Sequence, residues 1–115
     1  MSIQWELEDV DGVGVLRVSG FLGEQAVHRF EGAVDWVRAR CAGPVVLDLT
    51  ALRGWNGAGE AALVNAAALV GSDRGALAVC GLGERCTPAL LACYGLGVIR
   101  LFPDLETALA ALAAG

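Results

Sequence analysis

The 115-residue sequence predicts a single α/β domain: a mixed sheet of four to five strands, an antiparallel hairpin at its start, and about four helices. Two observations lead to this prediction. The first two apolar segments are separated only by Asp11-Gly12, a dipeptide that favours a tight hairpin turn. The later strand-like segments alternate with segments of helical periodicity, which is typical of parallel strands joined by right-handed crossovers. The length suits one domain with a hydrophobic core.

The hairpin and the first helix occupy the first third of the chain. Strands are predicted over residues 4–10 and 13–19, followed by a loop over residues 20–23. A helix is predicted over residues 24–40, because apolar side chains recur along it at helical spacing. That stripe consists of Val27, Phe30, Val34, Val37 and Cys41.

A buried strand and a second helix follow. Residues 45–49 form a short apolar run that begins after Gly43-Pro44, which suits a strand covered on both faces. Residues 58–70 are good helix formers and are predicted to end at Gly71. Between them, Asn56-Gly57 is both a turn signal and a plausible N-cap.

The last third repeats the alternation. Strands are predicted over residues 76–80 and 98–102. Between them, Thr87 as N-cap and Pro88 at the first helical position begin a short helix that runs to about Tyr94, with Gly95 as its C-cap. Asp104 is expected to cap a final helix with an apolar stripe. That stripe consists of Leu105, Ala108, Leu109 and Leu112.

The parallel strands place two loops together. The carboxyl ends of parallel strands lie at one edge of a sheet, so the loops over residues 50–59 and 81–86 are expected to be neighbours. Asp48 ends the third strand beside the first of these loops, and we expect its carboxylate to bind loop N–H groups. A helix beginning at this edge presents free N–H groups, which suits anions and partners.

Composition excludes several classes of function. The net charge of −5 argues against nucleic-acid binding, and the charged fraction of 18% argues against disorder. The start of the chain resembles no signal peptide, and no apolar stretch suits a bilayer span, so we expect a cytoplasmic protein without membrane insertion. The four cysteines lack metal-ligand spacing and are expected to be reduced thiols, with no metal or other cofactor.

Catalysis has little support in the sequence. No nucleophile has an evident base, and no phosphate-binding glycine motif is present. Gly12-Val13-Gly14 lies in the hairpin and is no dinucleotide fingerprint. His28 follows Val27 on a helix with no acid or nucleophile beside it, so it is expected to be a surface residue. We therefore predict a protein that is not an enzyme.

Several segments together resemble one family. The run Val45-Val46-Leu47-Asp48-Leu49-Thr50 is followed six residues later by a four-residue helix start. Residues 15–20, residues 78–81 and the stretch 96–109 are similar to further segments of that family. In order and spacing the chain resembles the STAS domain, the fold of bacterial anti-sigma factor antagonists. The resemblance implies a partner-binding surface at the loop before the second helix and along that helix.

The helix start departs from the family pattern. The family typically has Asp-Ser-Ser-Gly there, and a partner kinase that is also the anti-sigma factor phosphorylates the second serine. This chain has Asn56-Gly57-Ala58-Gly59, without a hydroxyl. Ala58 occupies the serine position, and a phosphate needs a hydroxyl to carry it. The resemblance therefore implies a binding surface without the usual switch. The alternative is that these four residues are only a well-formed turn and helix start.

The second helix itself favours an interface. Between residues 61 and 70 only Asn65 is polar, and Leu63 and Leu69 are ~120° apart around the helix. An exposed apolar stripe favours a protein partner or a homodimer. The predicted partner-binding residues are Trp55, Asn56, Gly57, Ala58, Gly59, Glu60 and Leu63. Trp55 either anchors a partner or folds over the sheet edge. Trp36 is either a partner contact or a partly covered surface residue, and we expect the second.

Three functions remain open at this level. The first is a regulatory module that binds a kinase-like anti-sigma factor, or a related protein, without a phospho-switch. The second is a scaffold subunit, such as the STAS subunit of a lipid-transport ATPase complex. The third is a sensor of a small ligand or nucleotide that uses the N-terminus of the second helix.

Overall fold

A computed structural model describes residues 2–113 as a six-stranded sheet with helices on both faces. The strands are β1 (Ile3–Val10), β2 (Val13–Leu22), β3 (Val45–Asp48), β4 (Leu52–Trp55), β5 (Leu77–Cys80) and β6 (Ile99–Phe102). The helices are α1 (Val27–Arg40), α2 (Gly57–Arg74), α3 (Pro88–Gly95) and α4 (Leu105–Ala113). Short 3₁₀ turns at Glu24–Ala26 and Gly83–Arg85 precede α1 and α3.

The sheet has the mixed topology that the sequence predicts. Its order is β1-β2-β3-β5-β6, with β1 antiparallel to β2 and the other neighbours parallel. β1 therefore lies at one edge. It carries Glu6 and Glu8, whose carboxylates lie 3.7 and 3.2 Å from Nη1 of Arg17 on β2. The hairpin, the crossovers and the four helices are confirmed.

The structure adds one short strand, β4, to the four to five that the sequence predicts. β4 lies within the predicted loop over residues 50–59 and pairs in parallel with the end of β2. β2 itself continues to Leu22, beyond its predicted end. Gly20 adopts a φ of +93°, and directly after it the pairing with β4 shifts register, because Arg53 of β4 is left without a partner. Helix α2 also runs past Gly71 to Arg74, and the N–H of Gly75 then donates to the Gly71 carbonyl at 3.1 Å.

Two apolar layers sandwich the sheet. Helices α1, α2 and α3 cover one face, where Phe30 and Leu22 are fully buried, and α4 covers the other. Neighbouring residues of β2 serve different layers, since Val15 packs with α4 and Leu16 packs with the three helices. This explains the continuous apolar runs of the central strands. Within residues 2–113, no helix is both long and apolar enough to cross a bilayer.

Candidate partner-binding site

Two loops meet at the carboxyl edge of β3 and β5, as the sequence predicts. The Leu49 N–H donates to the Cys80 carbonyl at 3.0 Å. Gly81 has a φ of +85°, and a Cβ there would overlap Thr50. Only glycine accepts both this backbone conformation and this approach. The loop after β3 and the loop after β5 therefore form one surface.

Asp48 fixes the first turn of this surface. Its carboxylate is nearly buried, and Oδ1 accepts hydrogen bonds from the Thr50 N–H at 3.0 Å and the Thr50 hydroxyl at 2.6 Å. The other oxygen lies 3.7 Å from Nε of Arg17. The predicted role of Asp48 in binding the loop backbone is confirmed. Beside it, burial and the Asp48 charge raise the pKa of the Cys80 thiol to about 12, so this thiol stays protonated.

Arg85 joins the two loops, a role that no sequence pattern predicts. Its Nη2 donates to the carbonyls of Leu49 at 3.0 Å and Gly81 at 2.8 Å, and Nε donates to the Leu82 carbonyl at 3.2 Å. Nη1 donates to the Leu52 carbonyl. One guanidinium thus satisfies four main-chain acceptors, which uses most of its five donors. Arg85 is therefore a clamp for the surface rather than a free cation.

Trp55 ends β4 directly before the helix. Its half-buried ring packs against the core layer of the three helices. The Arg85 guanidinium carbon lies 5.5 Å from the ring centroid, within the range of a cation–π contact. The structure thus places Trp55 over the sheet edge, the second of the two expectations. Its role as a partner anchor stays a prediction that rests on the exposed part of the ring.

Asn56 begins α2 as the predicted N-cap. Its side-chain Oδ1 accepts a hydrogen bond from the Gly59 N–H at 3.1 Å, and its own N–H donates to the Leu22 carbonyl at 3.3 Å. The cap is exposed, so it fixes the helix start at the surface. The start of α2 is therefore tied directly to the end of β2.

The first turn of α2 contains both solvent-exposed and buried residues. Gly57 is exposed, and a Cβ there would meet nothing within 4 Å. Ala58 and Glu60 are partly exposed, so their side chains are within reach of a partner. Gly59 is buried, and a Cβ there would overlap the Leu22 carbonyl oxygen. Gly59 thus serves the close packing of the helix on β2.

Leu63 requires a correction. It was predicted among the partner-binding residues, but its side chain is only 3% exposed and belongs to the core. The helix turns this position toward the sheet, so Leu63 supports the surface from below. The predicted separation from Leu69 is confirmed, because Leu69 on the other side of the helix is 42% exposed.

The remaining side chains singled out from the sequence lie away from this surface. Trp36 is 44% exposed and stacks with Arg40, whose guanidinium carbon is 3.9 Å from the ring centroid. His28 is exposed on α1. The four cysteines are free thiols, spread over four separate segments. Among residues 2–113, no cluster of three or more histidine, cysteine or acidic side chains is arranged to hold a metal ion.

Fold and sequence together identify the family. The sequence matches the STAS domain over residues 4–108, which is nearly the whole chain. The chain belongs to the STAS domain family. The predicted family, fold class and loop arrangement are thereby confirmed. No curated protein sequence gives a significant match.

Solved structures that are similar to this chain belong to proteins with different functions. An anti-sigma factor antagonist from Mycobacterium paratuberculosis is 28% identical, with a TM-score of 0.77 over 96% of this chain and 94% of that one. The Bacillus cell fate determinant SpoIIAA in its phosphorylated form is 14% identical, with a TM-score of 0.59 over 94% and 98%. The murine anion transporter Slc26a9 matches 94% of this chain with 19% of its own, at 13% identity and a TM-score of 0.73.

Proposed function

We propose that this STAS domain is a regulatory protein-binding module of the anti-sigma factor antagonist type that works without phosphorylation at the start of α2. Its partner is a kinase-like anti-sigma factor or a related protein. The observation that carries the proposal is the combination of an ordered, exposed helix start with Ala58 where the family has serine. The solved antagonist from Mycobacterium paratuberculosis supports the regulatory class.

The hydroxyls nearest the helix start along the sequence are poor substitutes for the missing serine. Thr50 is exposed, but its hydroxyl donates to the Asp48 carboxylate at 2.6 Å. A phosphate on this oxygen would lose that hydrogen bond and face the like charge of the carboxylate. Ser72 lies near the opposite end of α2, four turns from Ala58. In the proposed function, the charge of the binding surface at the start of α2 is therefore not changed by phosphorylation.

The test adds the missing charge to the same position. A pull-down with mass spectrometry identifies the partner, and calorimetry then compares the wild type with Ala58→Ser and Ala58→Asp. The aspartate lies in the first turn of α2, where the helix dipole stabilises a carboxylate by roughly 0.3–1 kcal/mol, so the fold should hold. Binding should weaken at least tenfold, about 1.4 kcal/mol, because the interface then buries an unpaired charge. Ala58→Ser should bind nearly as the wild type does.

Two outcomes of this series contradict the proposal. Equal affinity for all three proteins would place the interface on another surface. A stoichiometric phosphate on wild-type Thr50 or Ser72 after incubation with the partner kinase, seen by intact mass, would show that the switch has moved. Ala58→Ser is the matched control for the kinase, since it restores a hydroxyl at the family position.

A scaffold role is the second candidate, and one observation favours it. The same fold forms part of the anion transporter Slc26a9, so it also serves inside a larger transport protein. A permease or ATPase recovered in the pull-down would support this role over the regulatory one. The sensor of a nucleotide or other small ligand stays a prediction, tested by a thermal shift with nucleotides. The cytoplasmic location and the absence of catalysis likewise stay predictions.

A further inference from the structure

A groove of about 500 Å³ runs between α1 and α2, on the outer side of the three-helix layer. Its floor is apolar, formed by Phe30 and Val34 from α1 and by Ala62 and Ala66 from α2. Because the α2 side chains at this floor, Ala62 and Ala66, are small, the two helices leave a groove between them. The groove begins one helical turn after Ala58 and follows α2.

The walls of the groove differ in chemistry. Glu31 and Asp35 rise from α1, one turn apart, and the Asp35 side chain is 71% exposed. Arg38 lies 3.9 Å from Asp35 but binds Asp73 more closely, at 2.6 Å. The α2 wall carries the half-exposed Leu69. The groove thus combines an apolar floor, an α1 wall with two carboxylates and His28, and an α2 wall with Asn65 and Leu69.

We propose that this groove binds an amphipathic helix of the protein partner, with aliphatic side chains on one face and arginine or lysine along one flank. A helix in a groove places anchors at every third or fourth residue, which suits a groove parallel to α2. Basic side chains on the flank would face Glu31 and Asp35, and the net charge of −5 would favour the encounter. An acidic or neutral helix would leave the α1 wall without a counter-charge.

This inference rests on the proposed function, because it extends the same interface along α2 from its start. A partner bound at Ala58 could contact the groove by continuing along α2. The two ideas are tested by different residues. The series at Ala58 reports on the helix start, whereas substitutions at Glu31, Asp35 and Asn65 report on the groove.

The experiment uses synthetic peptides of about five helical turns as probes. One carries leucines on one face and arginines along the flank, a second has glutamates in place of the arginines, and a third scrambles the first. Fluorescence anisotropy should show binding of the arginine peptide that is at least tenfold tighter than binding of the other two. The double variant Glu31→Arg/Asp35→Arg should lose at least tenfold for the arginine peptide. Glu106→Arg, a single charge reversal at another exposed acidic position, on α4, is the control and should change affinity little.

A second variant blocks the groove without touching its charges. Asn65→Trp, at an exposed position on the α2 wall, should also weaken binding at least tenfold while thermal unfolding stays unchanged. Absence of binding by the arginine peptide, equal binding of the scrambled one, or full affinity of either groove variant would overturn the inference. A wild-type dimer in sedimentation that Leu69→Glu converts to monomers would also overturn it, because a second copy would then be the occupant.

Discussion

The two ends of α2 are held by different kinds of contact. At the N-terminal end, Gly59 packs on the Leu22 carbonyl oxygen and the Asn56 N–H donates to the same oxygen. At the C-terminal end, charged side chains make the contacts. Nε of Arg38 donates to Asp73 at 2.6 Å, and Arg74 donates to the carbonyls of Arg38, at 3.1 Å, and Cys41.

The difference shows where the helix tolerates change. Main-chain contacts at short range depend on shape, so the buried position Gly59 at the N-terminal end admits almost no added volume. Ion pairs at the surface depend on pH and salt, so the stabilising contribution of the contacts at the C-terminal end changes with solution conditions. The end that carries the candidate site is the more rigid one, which favours a preformed surface over one that orders on binding.

The largest expected effect breaks the N-terminal contact. Gly59→Ala places a methyl group on the Leu22 carbonyl, and overpacking of this kind should lower the free energy of unfolding by about 3 kcal/mol or more. Gly57→Ala is the matched control two residues away, where the new methyl group meets open space. It should raise stability by about 0.4–1 kcal/mol. Urea unfolding measures both, and similar losses in the two variants would contradict the described packing.

A smaller effect is expected from the clamp beside that contact. Arg85→Met removes the donors of four carbonyls, and loss of these charged hydrogen bonds should cost about 2–3 kcal/mol. Amide exchange should accelerate over residues 50–59 more than in α4. Arg53→Met changes an exposed arginine of β4 and should alter neither stability nor exchange by much. Unchanged exchange in the Arg85 variant would mean that the loop is ordered without the clamp.

The smallest effect belongs to the C-terminal end and depends on pH. The hydrogen bond from Arg38 lowers the pKa of the Asp73 carboxyl below its usual value. Its stabilising contribution is therefore full above the unfolded pKa of about 3.9 and is lost as the pH falls through the lower folded value. Asp73→Asn should melt at a lower temperature than the wild type at pH 7. The difference should shrink as the pH falls below the usual carboxyl range and through the lower folded pKa, and a constant difference would contradict the ion pair.

Hydrogen bonds between sequence neighbours made part of the site predictable, at the loop after β3 and at the start of α2. The cap by Asn56 and the turn bonds of Asp48 involve neighbours within three residues, so the sequence contains both partners. The stripe on α1 likewise follows from periodicity alone. β4 could not be predicted, because Leu52-Arg53-Gly54-Trp55 is short, lacks an apolar run and has a glycine that normally weakens a strand. It forms because β2 continues past Gly20 and offers a free partner.

Contacts with the main chain account for the rest of what sequence reasoning missed. The four acceptors of Arg85 are carbonyls, which every residue has, so no pattern of side chains marks them. The only signal was an arginine in a glycine-rich loop after a buried strand. Between residues 61 and 70 only Asn65 is polar, so the sequence pattern does not show which side of α2 is buried, and Leu63 was predicted as a partner-binding residue for that reason. Only the packing of the helix distinguishes it from Leu69.

The acidic side chains on β1 limit how copies of this domain can aggregate. An edge strand offers unpaired main-chain groups that could propagate a sheet from one molecule to the next. In such a stack, Glu6 and Glu8 of one copy would lie beside the same acidic row of another, and the repulsion would oppose growth. Concentrated solutions should therefore resist fibril formation at neutral pH.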